Sequence, residues 1–137
     1  MIKSVIFSCI TVNGNLGKGS ITIPIGGFGY SGNHDWNRYT YTANASSKCN
    51  FSAGKFKNYN IGVQISMDAG KWMYVKITVT TTNNTVTVLD KTYSGSAISQ
   101  WFYYSGTTDY DITNVTYYME ETYGRAWIGD ANVTLSN

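Results

Sequence analysis

Between Asn60 and Leu89 an apolar side chain stands at almost every second position. Ile61, Val63, Ile65 and Met67 alternate with Gly62, Gln64 and Ser66. Beyond Asp68-Ala69-Gly70, Met73, Val75, Ile77 and Val79 alternate with Trp72, Tyr74, Lys76 and Thr78. A period of two sends successive side chains to opposite faces of an extended chain, so each run reads as a strand with one buried face. Asn83-Asn84 reads as a tight turn, because Asn tolerates turn conformations that most residues avoid. Thr85-Val86-Thr87-Val88-Leu89 reads as the returning strand. Residues 60–92 are therefore expected to form a three-stranded antiparallel meander.

The same signal extends over most of the chain, and no helical period competes with it. Ile21, Ile23 and Ile25 alternate with Ser20, Thr22 and Pro24, where the proline marks an edge or a strand end. Tyr39 to Thr42, Ile98 to Tyr104 and Asp111 to Met119 read as further strands, the last two split by Ser105-Gly106-Thr107-Thr108. Ala126-Trp127-Ile128 and Ala131 to Leu135 close the chain on either side of Gly129-Asp130. The opening run Val5 to Val12 superficially resembles a short signal peptide. It is β-branched and flows into Asn13-Gly14-Asn15 without a small-residue cleavage site, so a first strand is the better reading. About nine short strands punctuated by turn signals predict an all-β fold, an antiparallel two-sheet β-sandwich of jelly-roll type. With 137 residues and no linker or repeat, a single domain spanning 1–137 is expected.

Composition narrows the function. Only 13% of residues are charged and the formal net charge is +2, too little for general polyanion binding, so no nucleic-acid partner is expected. No apolar run approaches the roughly 20 residues of a spanning helix, so no membrane insertion is expected. One His and two distant cysteines, Cys9 and Cys49, form no ligand cluster, so neither metal nor cofactor is expected. The two cysteines are compatible with one bridge, although a buried free thiol at Cys9 is the default. Residues 1–57 hold six cations against Asp35, a net of +5, while residues 58–137 hold four cations against seven acids, a net of −3. If the halves occupied different faces, copies would stack head to tail; if the strands interleave, the asymmetry averages out.

Three groups of residues are candidate sites. Trp101-Phe102-Tyr103-Tyr104 puts aromatics on both faces of one strand, and Tyr117-Tyr118 repeats this on the next. One face must pack inside. The outward rings of Trp101, Tyr103, Tyr104, Tyr117 and Tyr118 are read as a partner interface, since Tyr and Trp are enriched at interfaces. The glycine-rich stretch 26–38 holds Tyr30, Asn33, Asp35, Trp36 and Arg38, an aromatic plate with hydrogen-bonding groups of the kind that hold a sugar; a self-packed loop is the plain alternative. Glu120 and Glu121, with Asp109 and Asp111, are the only carboxylate cluster. A glycosidase needs two carboxylates facing one substrate, whereas adjacent residues on a strand point apart. Calcium at Asp109 and Asp111 lacks the supporting loop spacing. His34 beside Asp35 is no triad. Five N-x-S/T sequons, at Asn44, Asn50, Asn83, Asn114 and Asn132, are expected from an Asn- and Thr-rich composition.

A compact Tyr-, Asn-, Thr- and Gly-rich β-domain with few charges resembles the small structural proteins of virus or phage particles, so the expectation is a non-enzymatic structural protein of such a particle, a capsid decoration, fibre or tail component. Its partners are then other structural subunits or copies of itself, at the particle surface. The alternative is a carbohydrate-binding, lectin-like domain that takes a host-surface glycan, on a particle or secreted. A small glycosidase is the remaining reading.

Overall fold

The computed structural model describes residues 10–11, 19–29, 37–45, 56–121 and 125–137. Their strands are β1 (Ile10–Thr11), β2 (Gly19–Pro24), β3 (Asn37–Asn44), β4 (Asn58–Met67), β5 (Trp72–Thr81), β6 (Thr85–Ser94), β7 (Ile98–Thr107), β8 (Ile112–Glu121) and β9 (Ala126–Ser136). Eight are six residues or longer and β1 has two. They form two antiparallel sheets, a five-stranded one in the order β1-β2-β9-β4-β7 and a four-stranded one in the order β3-β8-β5-β6. The all-β sandwich read from the sequence is what the chain adopts. Cys9, Cys49 and most of the expected first strand lie outside the described residues.

The alternation does what physics requires of it. Ile61, Val63, Ile65 and Met67 of β4 and Met73, Val75, Ile77 and Val79 of β5 are all buried. Ile21 and Ile23 of β2, Val115, Tyr117 and Met119 of β8, and Ile128, Val133 and Leu135 of β9 complete the layer between the sheets. Each methylene removed from water contributes about 0.8 kcal/mol, so this shared layer is the main force holding the sheets face to face.

The three-stranded meander over 60–92 does not form. β5 and β6 make the expected hairpin, but β4 pairs with β7 and β9 in the other sheet. The turn at Asp68–Lys71 carries the chain across the core, fixed by Asp68 N–H donating to Arg125 O (2.9 Å) and Gly70 N–H to Gly95 O (2.6 Å). Alternation states which side chains face inward; it is silent on whether two inward faces share a sheet or oppose each other. Gly129-Asp130 likewise is no turn. β9 runs through it, with Gly129 as the extra residue of a bulge where Asp130 pairs with Gln64 and Ile128 with Ile65.

The charged halves do not separate. β2 lies beside β9 and β3 beside β8, so both halves contribute strands to both sheets. The charge difference between residues 1–57 and 58–137 therefore defines no pair of opposed faces among the described residues, and head-to-tail stacking has no footing there.

Candidate contact face on the five-stranded sheet

The outer face of the five-stranded sheet collects side chains from four strands. Register places Trp101 of β7 beside Gln64 of β4 and Tyr103 beside Gly62. On the far side of β4, Gly62 meets Asn132 and Gln64 meets Asp130. The Trp101 and Tyr103 rings are nearly parallel, with centroids 5.7 Å apart and 8° between planes. Tyr103 is 64% exposed, the most open of the large hydrophobic side chains described.

Gly62 explains where the rings rest. A Cβ there would lie 2.9 Å from Asn132 Oδ1, 3.2 Å from Tyr103 Cε1 and 3.3 Å from Trp101 Cζ3. The missing side chain leaves a clearing into which two rings and an amide lean. Tyr117 braces the same point from beneath. It crosses the core from β8, and its hydroxyl donates to the carbonyls of Gly62 (3.2 Å) and Asn132 (3.0 Å). Burial pushes this phenol well above the ordinary tyrosine range.

At the corner of the face an open hollow of about 390 Å³ is lined by Trp127, Ser66, Asp68, Ile98 and Ser99, among others. Asp68 Oδ2 accepts from Arg125 Nε at 2.6 Å beside it. Among the strand residues described on this face, Asp130 is the only one with a formal charge. The outer face of the other sheet differs: Arg38, Glu120, Lys76 and Asp90 all lie on it.

The five residues read as one interface are separated by the fold. Trp101 and Tyr103 stay together on the outer face. Tyr117 is fully buried, so the interface role read for it is corrected to a structural one. Its position is odd-numbered in phase with Val115 and Met119, which fill the core. Tyr104 turns inward and packs against the core, in reach of Tyr93, whose phenol is raised by burial first and by Tyr104 second. Tyr118 lies on the outer face of the opposite sheet. Its hydroxyl donates to the Glu120 carboxylate, which raises its pKa, and its ring meets Tyr74 edge-on at 6.2 Å.

Of the sugar-site residues, Tyr30, Asn33, Asp35 and Trp36 lie outside the described residues. Arg38, the second residue of β3, stands opposite Glu120, with Nε 3.9 Å from Oε2. Glu120 and Glu121 do point apart: the first faces outward and the second is buried. Asp111 pairs with Lys57 at 3.7 Å, and Asp109 is exposed. Among the described residues no cluster of three or more His, Cys, Asp or Glu is placed to hold a metal ion.

Trp127, Gln64, Asn132 and the Gly62 clearing were not read from the sequence as parts of a contact face. Alternation marks Gln64 and Gly62 as outward, but only the pairing of β4 between β7 and β9 reveals that they meet the aromatic pair.

No protein-family model matches this chain, and no curated protein matches it. Solved structures of the β-sandwich class do. One is the infectious bursal disease virus VP2 subviral particle, with TM-score 0.47, 13% identity, 85% of this chain covered and 32% of that one. The Gx strain of the same virus gives TM-score 0.46 and 12% identity, over 85% and 31% of the two chains. A family 29 carbohydrate-binding module, CBM29-2, gives TM-score 0.41 and 13% identity, over 85% and 91%. The chain thus spans about a third of the length of the virus chains it matches. The structural neighbours of this fold include VP2 of a virus and carbohydrate-binding modules.

Proposed function

We propose that this chain is a non-enzymatic structural module of a virus or phage particle, a decoration, fibre or tail component that works by contact with other subunits at the particle surface. The observation that carries this reading is the parallel Trp101–Tyr103 pair, with Trp101 half-buried and Tyr103 exposed, on a sheet face nearly free of charge. Interface centres are depleted of charged residues and enriched in Tyr and Trp, and ring burial at such a centre supplies much of the binding energy. The test is light scattering on the purified chain across a concentration range, together with co-sedimentation with particles of its source. Wild type is expected to grow in mass or to sediment with particles. A Trp101→Ala/Tyr103→Ala chain with an unchanged circular dichroism spectrum is expected to do neither. Equal behaviour of the two chains overturns the reading.

A second reading, a domain that takes a glycan, is favoured by the amides and hydroxyls around the rings. Gln64, Asn132 and Ser66 converge near Gly62 and Gly129, and Trp127 walls the corner hollow. Aromatic plates beside fixed hydrogen-bonding groups suit a sugar's mixed apolar and hydroxylated surface. Tryptophan fluorescence titrated with a panel of neutral oligosaccharides tests it. A saturable change lost in Trp127→Ala supports it, and no change with any member of the panel removes it.

A further inference from the structure

Among the described strands, the sheet edges are not alike. An unprotected edge strand presents a row of backbone donors and acceptors, and natural proteins blunt such edges with charge, proline, bulges or short length. On the five-stranded sheet, toward the edge away from β7, β2 ends in Pro24. On the four-stranded sheet, edge strand β3 carries Arg38. The opposite edge strand, β6, carries Asp90 and Lys91, and its ladder with β5 shifts register between Ile77 and Thr78.

β7 has none of these devices. Its ten residues, Ile98–Thr107, include no charged residue and no proline. It meets β4 over ten consecutive pairs, from Asn58–Thr107 to Met67–Ile98, without a register shift. The β4–β9, β5–β6 and β5–β8 ladders each contain one. Among the described residues no strand pairs with its other side. A long, regular, uncharged edge that also carries exposed Tyr103 stacked on Trp101 is built to be covered.

We infer that β7 is the seam at which two copies of this chain join, edge to edge and antiparallel about a twofold axis through Phe102, fusing their five-stranded sheets into one of ten strands. This rests on the assembly reading and names its first partner as a second copy. The register follows from side-chain chemistry. An axis at Phe102 sets Trp101 opposite Tyr103 of the second copy, twice, on the outer face. It sets Ser99 opposite Ser105 of the second copy, also twice, and Phe102 opposite its own counterpart on the inner face. Aromatic cross-strand pairs are among the favourable ones in antiparallel sheets. An axis at Tyr103 would instead leave Trp101 opposite Ser105. A twofold contact is self-complementary, so it closes at two copies and leaves both outer faces on the same side of the joined sheet.

Ser99 and Ser105 are exposed and six positions apart on one strand, so charges placed there meet only across the seam. Sedimentation equilibrium on three chains tests the register: wild type, Ser99→Lys/Ser105→Lys and Ser99→Lys/Ser105→Glu. Wild type is expected to be dimeric. The double-lysine chain opposes like charges twice and is expected to dissociate about tenfold more readily or worse, least so in high salt. The lysine–glutamate chain opposes unlike charges twice and is expected to recover the dimer. Both variants change exposed positions, and an unchanged circular dichroism spectrum with a cooperative melt confirms that they fold. If wild type associates and the double-lysine chain associates equally, or if the lysine–glutamate chain is as dissociated as the double-lysine one, the seam is overturned while assembly by another surface stands. If wild type is monomeric yet sediments with particles, the seam alone fails. If it does neither, the assembly reading fails with it.

Discussion

A glycine and a tyrosine on opposite sides of one sheet set the geometry of the contact face. Gly62 offers no side chain, so Trp101, Tyr103 and Asn132 close over it. A Gly62→Ala chain must shift the Asn132 side-chain amide and tilt both rings, since its Cβ would meet all three between 2.9 and 3.3 Å. The expected outcome is a partner or glycan affinity reduced about tenfold, with stability changed by no more than about 1–2 kcal/mol, because flexible ring ends yield more cheaply than backbone. Binding and urea melts on the same preparation check both halves of that statement. Tyr117 works from the core side, where its single hydroxyl proton is shared between the Gly62 and Asn132 carbonyls. Tyr117→Phe is expected to cost about 1–2 kcal/mol at neutral pH, the worth of a buried hydroxyl bond, measured by urea denaturation. Neither role was legible beforehand. The sequence shows Tyr117 in phase with apolar Val115 and Met119, which is enough to place it inside, yet its pairing with Tyr118 in an aromatic doublet drew attention to a surface role instead.

At the scale of elements, what was legible was the strands themselves and the faces of most of them. Every inward residue read from the alternation in 61–67 and 73–79 is buried. What stayed hidden was partnership, because period two is a property of one strand and pairing is a property of two. β4 therefore looked like the first strand of a meander, although its partners β7 and β9 lie 31 or more residues on. The bulge at Gly129 was hidden for the same reason, since a glycine between two apolar runs signals a turn unless the opposing strand is known. The β5–β6 hairpin was legible because its signal is local. Thr81 closes it, its Oγ1 donating toward Asn84 Oδ1 (2.6 Å) and accepting from Asn84 N (2.9 Å) and Asn83 N (3.2 Å). Thr81 is only 6% exposed, so these bonds are shielded from competing water. Thr81→Val keeps the shape and strands those groups, and a loss of about 1–3 kcal/mol is expected by chemical denaturation. Amide exchange is expected to quicken first at Thr80–Val86, with the β4–β7 ladder unaffected.

For the molecule as a whole, the buried tyrosines couple stability to alkaline pH. Tyr117 from the four-stranded sheet reaches the backbone of the five-stranded one, and Tyr93 of β6 packs on Phe102 of β7 with ring centroids 6.1 Å apart. Both phenols therefore sit where the sheets meet, and burial is the first cause of the raised pKa of each. A phenol whose folded pKa lies above its unfolded value holds its proton longer in the native state. Its contribution is then complete below the unfolded pKa, near 10, and is lost as pH rises toward the folded one. Across that window each such group lowers unfolding free energy by about 1.4 kcal/mol per pH unit, because the unfolded chain has already released the proton. Neither group is screened by solvent, with Tyr117 at 0% and Tyr93 at 6% exposure. Urea denaturation from pH 8 to 11 is expected to show stability level to about pH 9.5 and then falling steeply. Tyr117→Phe starts lower and is expected to fall with a shallower slope, since the most deeply buried of the raised phenols is gone. Parallel slopes in the two chains would show that the Tyr117 hydroxyl is not held between the sheets, and with it the brace beneath Gly62 would be lost.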